Sequence, residues 1–181
     1  MKNFEVEARS FISEKQYKKL LQYFKEKGKL ISADSDETVY FKAQKDLRIR
    51  KDSKFSYLIL KEGKIHDKFR KEIEIKLAKE EFKKLEELIV SLGLKVVVRW
   101  YRRKRVYKWR GAEASLWITR GYGYLVELEK MSDEKGKIKA HQRLTNLLKS
   151  LEIKITPKKE FDKRFNYYKN NWRKIIKYEP R

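Results

Sequence analysis

The sequence predicts an α+β fold built on an antiparallel sheet, with helices set between runs of strands. Three observations predict it. Apolar and polar residues alternate in segment after segment, which is the period of a half-buried strand. The strand-like segments follow one another across turn residues, with few crossover helices between them, and this favours antiparallel over parallel pairing. The chain has 181 residues with 40% hydrophobic and 13% aromatic content, enough for one sizeable core and too little for two comfortable ones. A single domain over residues 1–181 is expected, with strands over 3–130 and C-terminal helices over 132–178.

Taken in order, Phe4 to Arg9 reads as a strand, with Phe4, Val6 and Ala8 on one face and Glu5, Glu7 and Arg9 on the other. Ser13 is an N-cap with Gln16 completing a capping box, and Tyr17, Leu20, Leu21 and Phe24 recur at helical spacing until Gly28 ends the helix as a C′ residue. Asp34-Ser35-Asp36 reads as a turn before a strand at Val39-Tyr40-Phe41. Leu47 to Arg50 alternates strongly, Asp52-Ser53 is a hairpin turn, and Phe55 to Lys61 is the returning strand, broken at Glu62-Gly63-Lys64. Phe69 to Leu77 alternates over a longer run, with Arg70, Glu72, Glu74 and Lys76 sharing a face. Ala78 to Leu92 carries an apolar helical stripe stopped by Gly93. Lys95 to Trp109 is a long strand that turns at Arg110-Gly111 into Ala114–Thr119. A sharp turn at Gly121-Tyr122-Gly123 leads to the strand Tyr124–Glu129. Ile138 to Leu151 is helical, and Pro157 opens a last helix whose apolar positions run from Phe161 to Ile176.

Composition narrows the chemistry. Charged residues make up 41%, and 48 Lys plus Arg against 26 Asp plus Glu leave a formal charge of +22. Such an excess favours anionic partners: polyphosphate, nucleotides, nucleic acid or an anionic surface. The absence of cysteine excludes disulfides and thiolate metal sites. His66 and His141 stand far apart and read as surface residues, which argues against imidazole-based zinc sites and Ser-His-Asp catalysis. No apolar run approaches a membrane span and no signal-peptide core is present, so a cytoplasmic protein without membrane association is expected.

The charged rows carry the functional signal. Glu5/Glu7, Glu72/Glu74 and Glu127/Glu129 are acidic pairs, each spaced by two and so each on one strand face. Arg9, Arg48/Arg50, Lys61 and Arg103/Arg105 are their basic counterparts. On an ordinary sheet such rows are solvated faces. Turned into a barrel, they line a hollow in which carboxylates hold Mg²⁺ or Mn²⁺ and Arg and Lys hold phosphate oxygens. Alternation alone does not separate these two geometries. A second signal is the run Arg99–Arg110, with seven basic residues interleaved with aromatics. It suits either RNA at a basic surface or, preferred here, a barrel strand with cations inward and aromatics outward.

The ordered set of segments resembles the CYTH family, the triphosphate tunnel metalloenzymes. The resemblance rests on Glu5-x-Glu7-x-Arg9, Leu47-Arg48-Ile49-Arg50, Tyr57 to Lys61, Arg70-x-Glu72-x-Glu74, Arg103 to Tyr107 and Gly123 to Glu129, over residues 4–129. It implies a closed eight-stranded antiparallel β-barrel with helices packed outside. It implies Glu5, Glu7, Glu127 and Glu129 as metal ligands, with Mg²⁺ or Mn²⁺ as cofactor. Arg9, Arg48, Arg50, Lys61, Arg103 and Arg105 would bind triphosphate, and Glu72 and Glu74 would act as catalytic water-positioning or second-metal residues. The implied function is metal-dependent hydrolysis of an organic or inorganic triphosphate. Class IV-type cyclisation of ATP and non-catalytic polyphosphate or RNA binding are the alternatives. The chain departs from the family in four places. Arg9 stands for the signature Lys, Trp117 for an Asp six residues before Gly123, and the segment before Leu47 is short. Of Lys158, Lys159 and Lys163, none is a clean match to a C-terminal phosphate-binding Lys.

Overall fold

The computed structural model describes the backbone of residues 4–62 and 69–178. Gly63, Lys64 and His66 lie outside the described residues, as do the side chains of Phe69 and Arg70. Among the described residues the chain runs β1 (Phe4–Ile12), α1 (Glu14–Lys27), β2 (Lys29–Phe41), β3 (Asp46–Lys51), β4 (Phe55–Lys61), β5 (Phe69–Arg70), β6 (Glu72–Ala78), α2 (Glu81–Ser91), β7 (Val96–Trp109), β8 (Ala112–Thr119), β9 (Gly123–Ser132), α3 (Lys137–Ser150) and α4 (Lys158–Tyr178).

All strand pairs are antiparallel, in the order β5-β1-β9-β8-β7-β2-β3-β4-β6. The two ends of that order, β5 and β6, are separated in the chain by Lys71 alone. They are two pieces of one strand: β5 pairs with β1 and β6 with β4. The eight-stranded antiparallel sheet expected from the resemblance is therefore present, with its wall completed by chain continuity through Lys71 and not by an unbroken ladder. The long alternation of Phe69–Leu77 breaks at Lys71, whose carbonyl accepts the Glu62 N–H at 2.9 Å.

The apolar face of the sheet points outward, towards the helices, and its polar face points inward. Val6, Ala8, Ala114, Leu116, Val126 and Leu128 pack with Leu20 and Phe24 of α1 and Leu144 and Leu148 of α3. Val39, Ile49 and Phe41 pack with Phe82 and Ile89 of α2. At one end of the barrel the inward face is apolar as well: Tyr40, Val98 and Trp100 pack there with Tyr168 and Trp172 of α4. Burying apolar area at roughly 25 cal/mol per Å² on this outer surface drives the fold and leaves the polar rows facing one another inside.

Local chemistry agrees with the reading in most places. The Ser13–Gln16 capping box forms as predicted. Gly93 takes φ +86 after α2, and Arg110 and Gly111 take φ 46 and 76 in the β7–β8 turn. Gly28 ends α1 differently from the C′ expectation. Its backbone is extended, and glycine is needed because a Cβ would stand 2.9 Å from the Phe24 carbonyl oxygen and 3.2 Å from Tyr107 Cβ. Asp34-Ser35-Asp36 is not a turn. It lies within β2, in register with Lys104, Arg103 and Arg102 of β7, so cross-strand charge overrides the local turn preference of Asp and Ser.

The C-terminal segment is pinned before α4 begins. The Ser10 hydroxyl donates to the Lys154 carbonyl at 2.7 Å, the Thr156 N–H donates to Ser10 Oγ at 3.0 Å, and the Phe11 N–H donates to Thr156 Oγ1 at 3.0 Å. From that anchor α4 crosses the end of the barrel marked by Phe11, Trp100 and Tyr122. Trp100 stacks on Tyr168 at 4.1 Å, and Phe11 meets Phe161 at 4.7 Å. Gly121 faces α4 so closely that a Cβ would fall 2.0 Å from Ile175 Cγ2.

Candidate active site: a charged tunnel

The inward face of the sheet encloses a cavity of about 310 Å³. Of the residues singled out from the sequence, Glu5, Glu7, Arg9, Arg48, Arg50, Lys61, Glu72, Glu74, Glu127 and Glu129 all line it. Strand alternation puts each spaced pair on one wall. The antiparallel registers then set Glu7 opposite Glu129 and Arg9 opposite Glu127 across β1 and β9.

Arg103 and Arg105 are not in the wall. They are exposed on the outer face of β7, and Arg102 and Lys104 occupy the inward positions in their place. The outward direction is set by Tyr107 and Trp109, which share the parity of Arg103 and Arg105 and pack on Phe24 of α1. The expectation of cations inward and aromatics outward on this strand thus holds for Tyr107 and Trp109 and fails for Trp100, which shares the parity of Arg102 and lines the cavity. Lys158, Lys159 and Lys163 are also absent from the wall, because α4 turns Phe161 and Phe165 inward and leaves these lysines exposed. His141 is half-buried on α3, away from the cavity.

Several lining residues were not singled out. Glu113 on β8 stands opposite Glu129, so Glu7, Glu129 and Glu113 form a row across three strands. A lone Glu without an i+2 partner gives no sequence signal. Phe161 and Phe165, expected only to pack, close one end of the cavity.

The tunnel has two electrostatic halves. The carboxylates sit on β6, β1, β9 and β8, and the cations, apart from Arg9, sit on β3, β4 and β7. The basic half is organised by its own partners. Arg48 donates to Asp46 in a bidentate pair at 3.2 and 2.5 Å and to the Tyr40 hydroxyl at 2.7 Å. Its guanidinium lies 4.5 Å from the Tyr40 ring centroid. Arg102 donates to Asp36 Oδ1 at 2.8 Å and to the Thr38 hydroxyl at 2.8 Å. Arg50 pairs with Glu74 across the mouth at 3.1 Å. Lys61 bridges the halves, donating to both oxygens of Glu5 at 3.0 and 2.9 Å and pairing with Glu72. Burial opposes the Lys61 charge, yet the Glu5 and Glu72 carboxylates outweigh it and raise its pKa.

The acidic half is crowded. Burial, with Glu127 and Glu5 adding repulsion, pushes Glu129 up to about 8. Burial likewise raises Glu7, against the pull of Arg9 at 3.3 Å. Burial raises Glu72, and its hydrogen bond with Glu5 adds to the rise. For Glu5 burial is again the largest influence and would raise it. The hydrogen bond from Glu72 and the Lys61 ammonium more than offset this, and Glu5 ends below the ordinary carboxylate range.

The donor set fits a hard divalent cation. For Glu7 and Glu129 burial makes the charged form unfavourable, and added positive charge would favour it. No group of three metal-ligating side chains among the described residues is preassembled as a cage. Glu5 and Glu7 are engaged with Lys61 and Arg9, so metal binding exchanges ion pairs for ligation. The same walls also present buried donors without hydrogen-bond partners, Arg9 Nη2, Arg50 Nε and Trp117 Nε1. Three unpartnered buried donors in one cavity suit an anion with many acceptor oxygens. Trp117 lies under Arg102 at 4.6 Å and Lys104 at 4.4 Å. A cation-bearing aromatic donor thus stands six residues before Gly123.

An antiparallel sheet wrapped around an acid-and-base-lined hollow, with helices outside, is a tunnel fold. The CYTH domain matches residues 3–165, and the chain belongs to that family. It is 32% identical over 161 residues to a Methanocaldococcus jannaschii protein named "putative adenylate cyclase", covering 82% of this chain and 90% of that one. A conserved hypothetical protein of Pyrococcus furiosus superposes with a TM-score of 0.70 at 27% identity, covering 83% of this chain and 91% of that one. A Hippeastrum protein described as a "putative adenylyl cyclase" with a dominant triphosphatase activity superposes with a TM-score of 0.60. At 17% identity, over 83% of this chain and 88% of that one, that likeness is one of fold alone.

Proposed function

We propose that this protein binds a triphosphate inside the tunnel together with Mg²⁺ or Mn²⁺ and hydrolyses a phosphoanhydride bond. The observation that supports it is the meeting of ten predicted acidic and basic side chains in one cavity. Glu5, Glu7, Glu127 and Glu129 would hold the metal, which supplies charge neutralisation at the phosphoryl oxygens. Arg48 and Arg50, with Arg102, Lys104 and Arg9, grip the phosphate chain and hold it in line. Their buried, pre-paired guanidinium groups need little reorganisation as negative charge redistributes. Burial raises the pKa of Glu72, so its carboxylate form is the stronger base, and in that form it would, with the more exposed Glu74, position the attacking water and take its proton.

Charge balance supports metal dependence. Seven carboxylates and six cations line the tunnel. A wall so nearly neutral has little net attraction for a polyanion until a divalent cation binds with it.

A cyclase differs in one participant: a ribose hydroxyl replaces water. The name of the Methanocaldococcus jannaschii relative favours keeping that reading second. Incubation with tripolyphosphate, ATP and thiamine triphosphate in Mg²⁺ or Mn²⁺ separates the two. Orthophosphate release is expected, strictly dependent on metal. Cyclic AMP with pyrophosphate would establish the cyclase instead. Metal-independent binding of tripolyphosphate without turnover would leave only a binding module.

A further inference from the structure

We propose that the outward face of α4 binds single-stranded nucleic acid through its phosphates. The argument begins with where the charge lies. Because the tunnel walls carry one more carboxylate than cations, the whole excess of +22 resides elsewhere on the molecule. It is not spread evenly. α2 carries three Glu against two Lys. α4 carries eight Lys and Arg against Glu160 and Asp162, and its residues 163–178 contain no carboxylate at all.

The helix sorts these residues by face. Phe161, Phe165, Tyr168 and Trp172 recur at three- and four-residue steps and are committed to the barrel end. Lys159, Lys163, Asn170, Arg173 and Lys174 recur at helical steps on the opposite side, and all are exposed. Lys159, Lys163, Arg173 and Lys174 form no ion pair among the described residues. From Lys159 to Lys174 the row spans about 22 Å at 1.5 Å per residue. A single nucleic-acid strand lying along that length brings several phosphates within reach of the four cations.

A ring stands in the same row. Tyr167 is 66% exposed, the largest aromatic surface on the described part of the molecule. A flat ring between cations offers a stacking platform for an unpaired base, which a duplex cannot present. An anionic membrane is the poorer fit. An interfacial helix inserts its apolar face, and that face of α4 is already buried in the protein. The site uses none of the tunnel residues, so it stands or falls apart from the proposed catalysis.

The test is fluorescence anisotropy of the full chain with a labelled 5′-hydroxyl oligouridylate of about fifteen nucleotides. The 5′-hydroxyl end offers the tunnel no triphosphate. Expected is binding whose log–log salt slope is about −3, the value for four released counterions on a single strand. The quadruple variant Lys159→Gln, Lys163→Gln, Arg173→Gln, Lys174→Gln should weaken it at least tenfold, and Tyr167→Ala at least fivefold. Circular dichroism and Tm should match the parent for both. Neutralising Lys25, Lys27, Lys83 and Lys84 on α1 and α2, or Arg50→Gln in the tunnel, should change it less than twofold. An equal loss in the α1 and α2 control would reduce the effect to bulk charge, and loss in Arg50→Gln would move binding into the tunnel. Either overturns the proposal, as would equal affinity for a duplex or for anionic vesicles.

Discussion

The two halves of the tunnel are charged in opposite senses and prepared in opposite ways. On the basic half two guanidinium groups already have structural partners: Asp46 and Tyr40 for Arg48, Asp36 and Thr38 for Arg102. On the acidic half Glu7, Glu129 and Glu113 stand in a row across three strands, and burial, with repulsion from Glu127 and Glu5, holds Glu7 and Glu129 above their ordinary range. The difference teaches how such a hollow can be both stable and receptive. Cations buried with fixed partners keep their geometry for a phosphate chain. Carboxylates buried against each other keep unspent affinity for a cation.

The comparison breaks most visibly at Arg48. Asp46 is 3% exposed, so Arg48→Met removes its guanidinium and leaves a buried carboxylate. A loss of about 3–5 kcal/mol of stability is expected, the range for breaking a buried pair. Denaturant titration of Arg48→Met beside the double variant Arg48→Met, Asp46→Leu measures it, and the double variant should recover much of the loss. On the acidic side the penalty should fall on activity. Glu7→Gln removes a crowded charge and a proposed metal ligand, so phosphate release should drop about a hundredfold or more at saturating metal, with the melting temperature unchanged or raised. A variant with parental turnover would dismiss Glu7 as a ligand.

A pH series sharpens the contrast. Glu129 in the folded state titrates at about 8, against 4.5 for the ordinary group. Between those values the folded chain keeps a proton that the unfolded chain has released, so stability without metal should fall as pH rises through this window. Glu129→Gln should flatten the dependence, and saturating Mg²⁺ should reverse it, because ligation needs the deprotonated form. Stability of the metal-free parent that stays level between pH 5 and pH 8 would contradict the crowding described here. The smallest effect belongs to Trp117. Trp117→Phe keeps the ring beneath Arg102 and Lys104 and removes the unpartnered Nε1–H. If that donor serves a phosphate oxygen, KM for tripolyphosphate should rise about fivefold, worth one hydrogen bond, with kcat unchanged.

Much of this was legible in the chain because strand chemistry has period two. Glu5-x-Glu7-x-Arg9 between Phe4, Val6 and Ala8 can only put its charges together on one face, whatever the sheet does next. The same holds for Arg48/Arg50, Glu72/Glu74 and Glu127/Glu129. The rule fails where both faces carry the same chemistry. Residues 102–105 are Arg-Arg-Lys-Arg, so alternation offers no preferred parity there, and Tyr107 and Trp109 packing on α1 decides it for Arg102 and Lys104. Asp34-Ser35-Asp36 has turn composition, yet β7 holds it extended.

The sequence by itself thus determined which charges share a strand face, because the pleat is a local property of the backbone. Only the tertiary structure decided that those faces enclose a hollow, that Glu113 joins Glu7 and Glu129, and that α4 closes one end with Phe161 and Phe165. Such meetings depend on register between strands distant in the chain and on which surface the helices cover, and neither is written in any one segment.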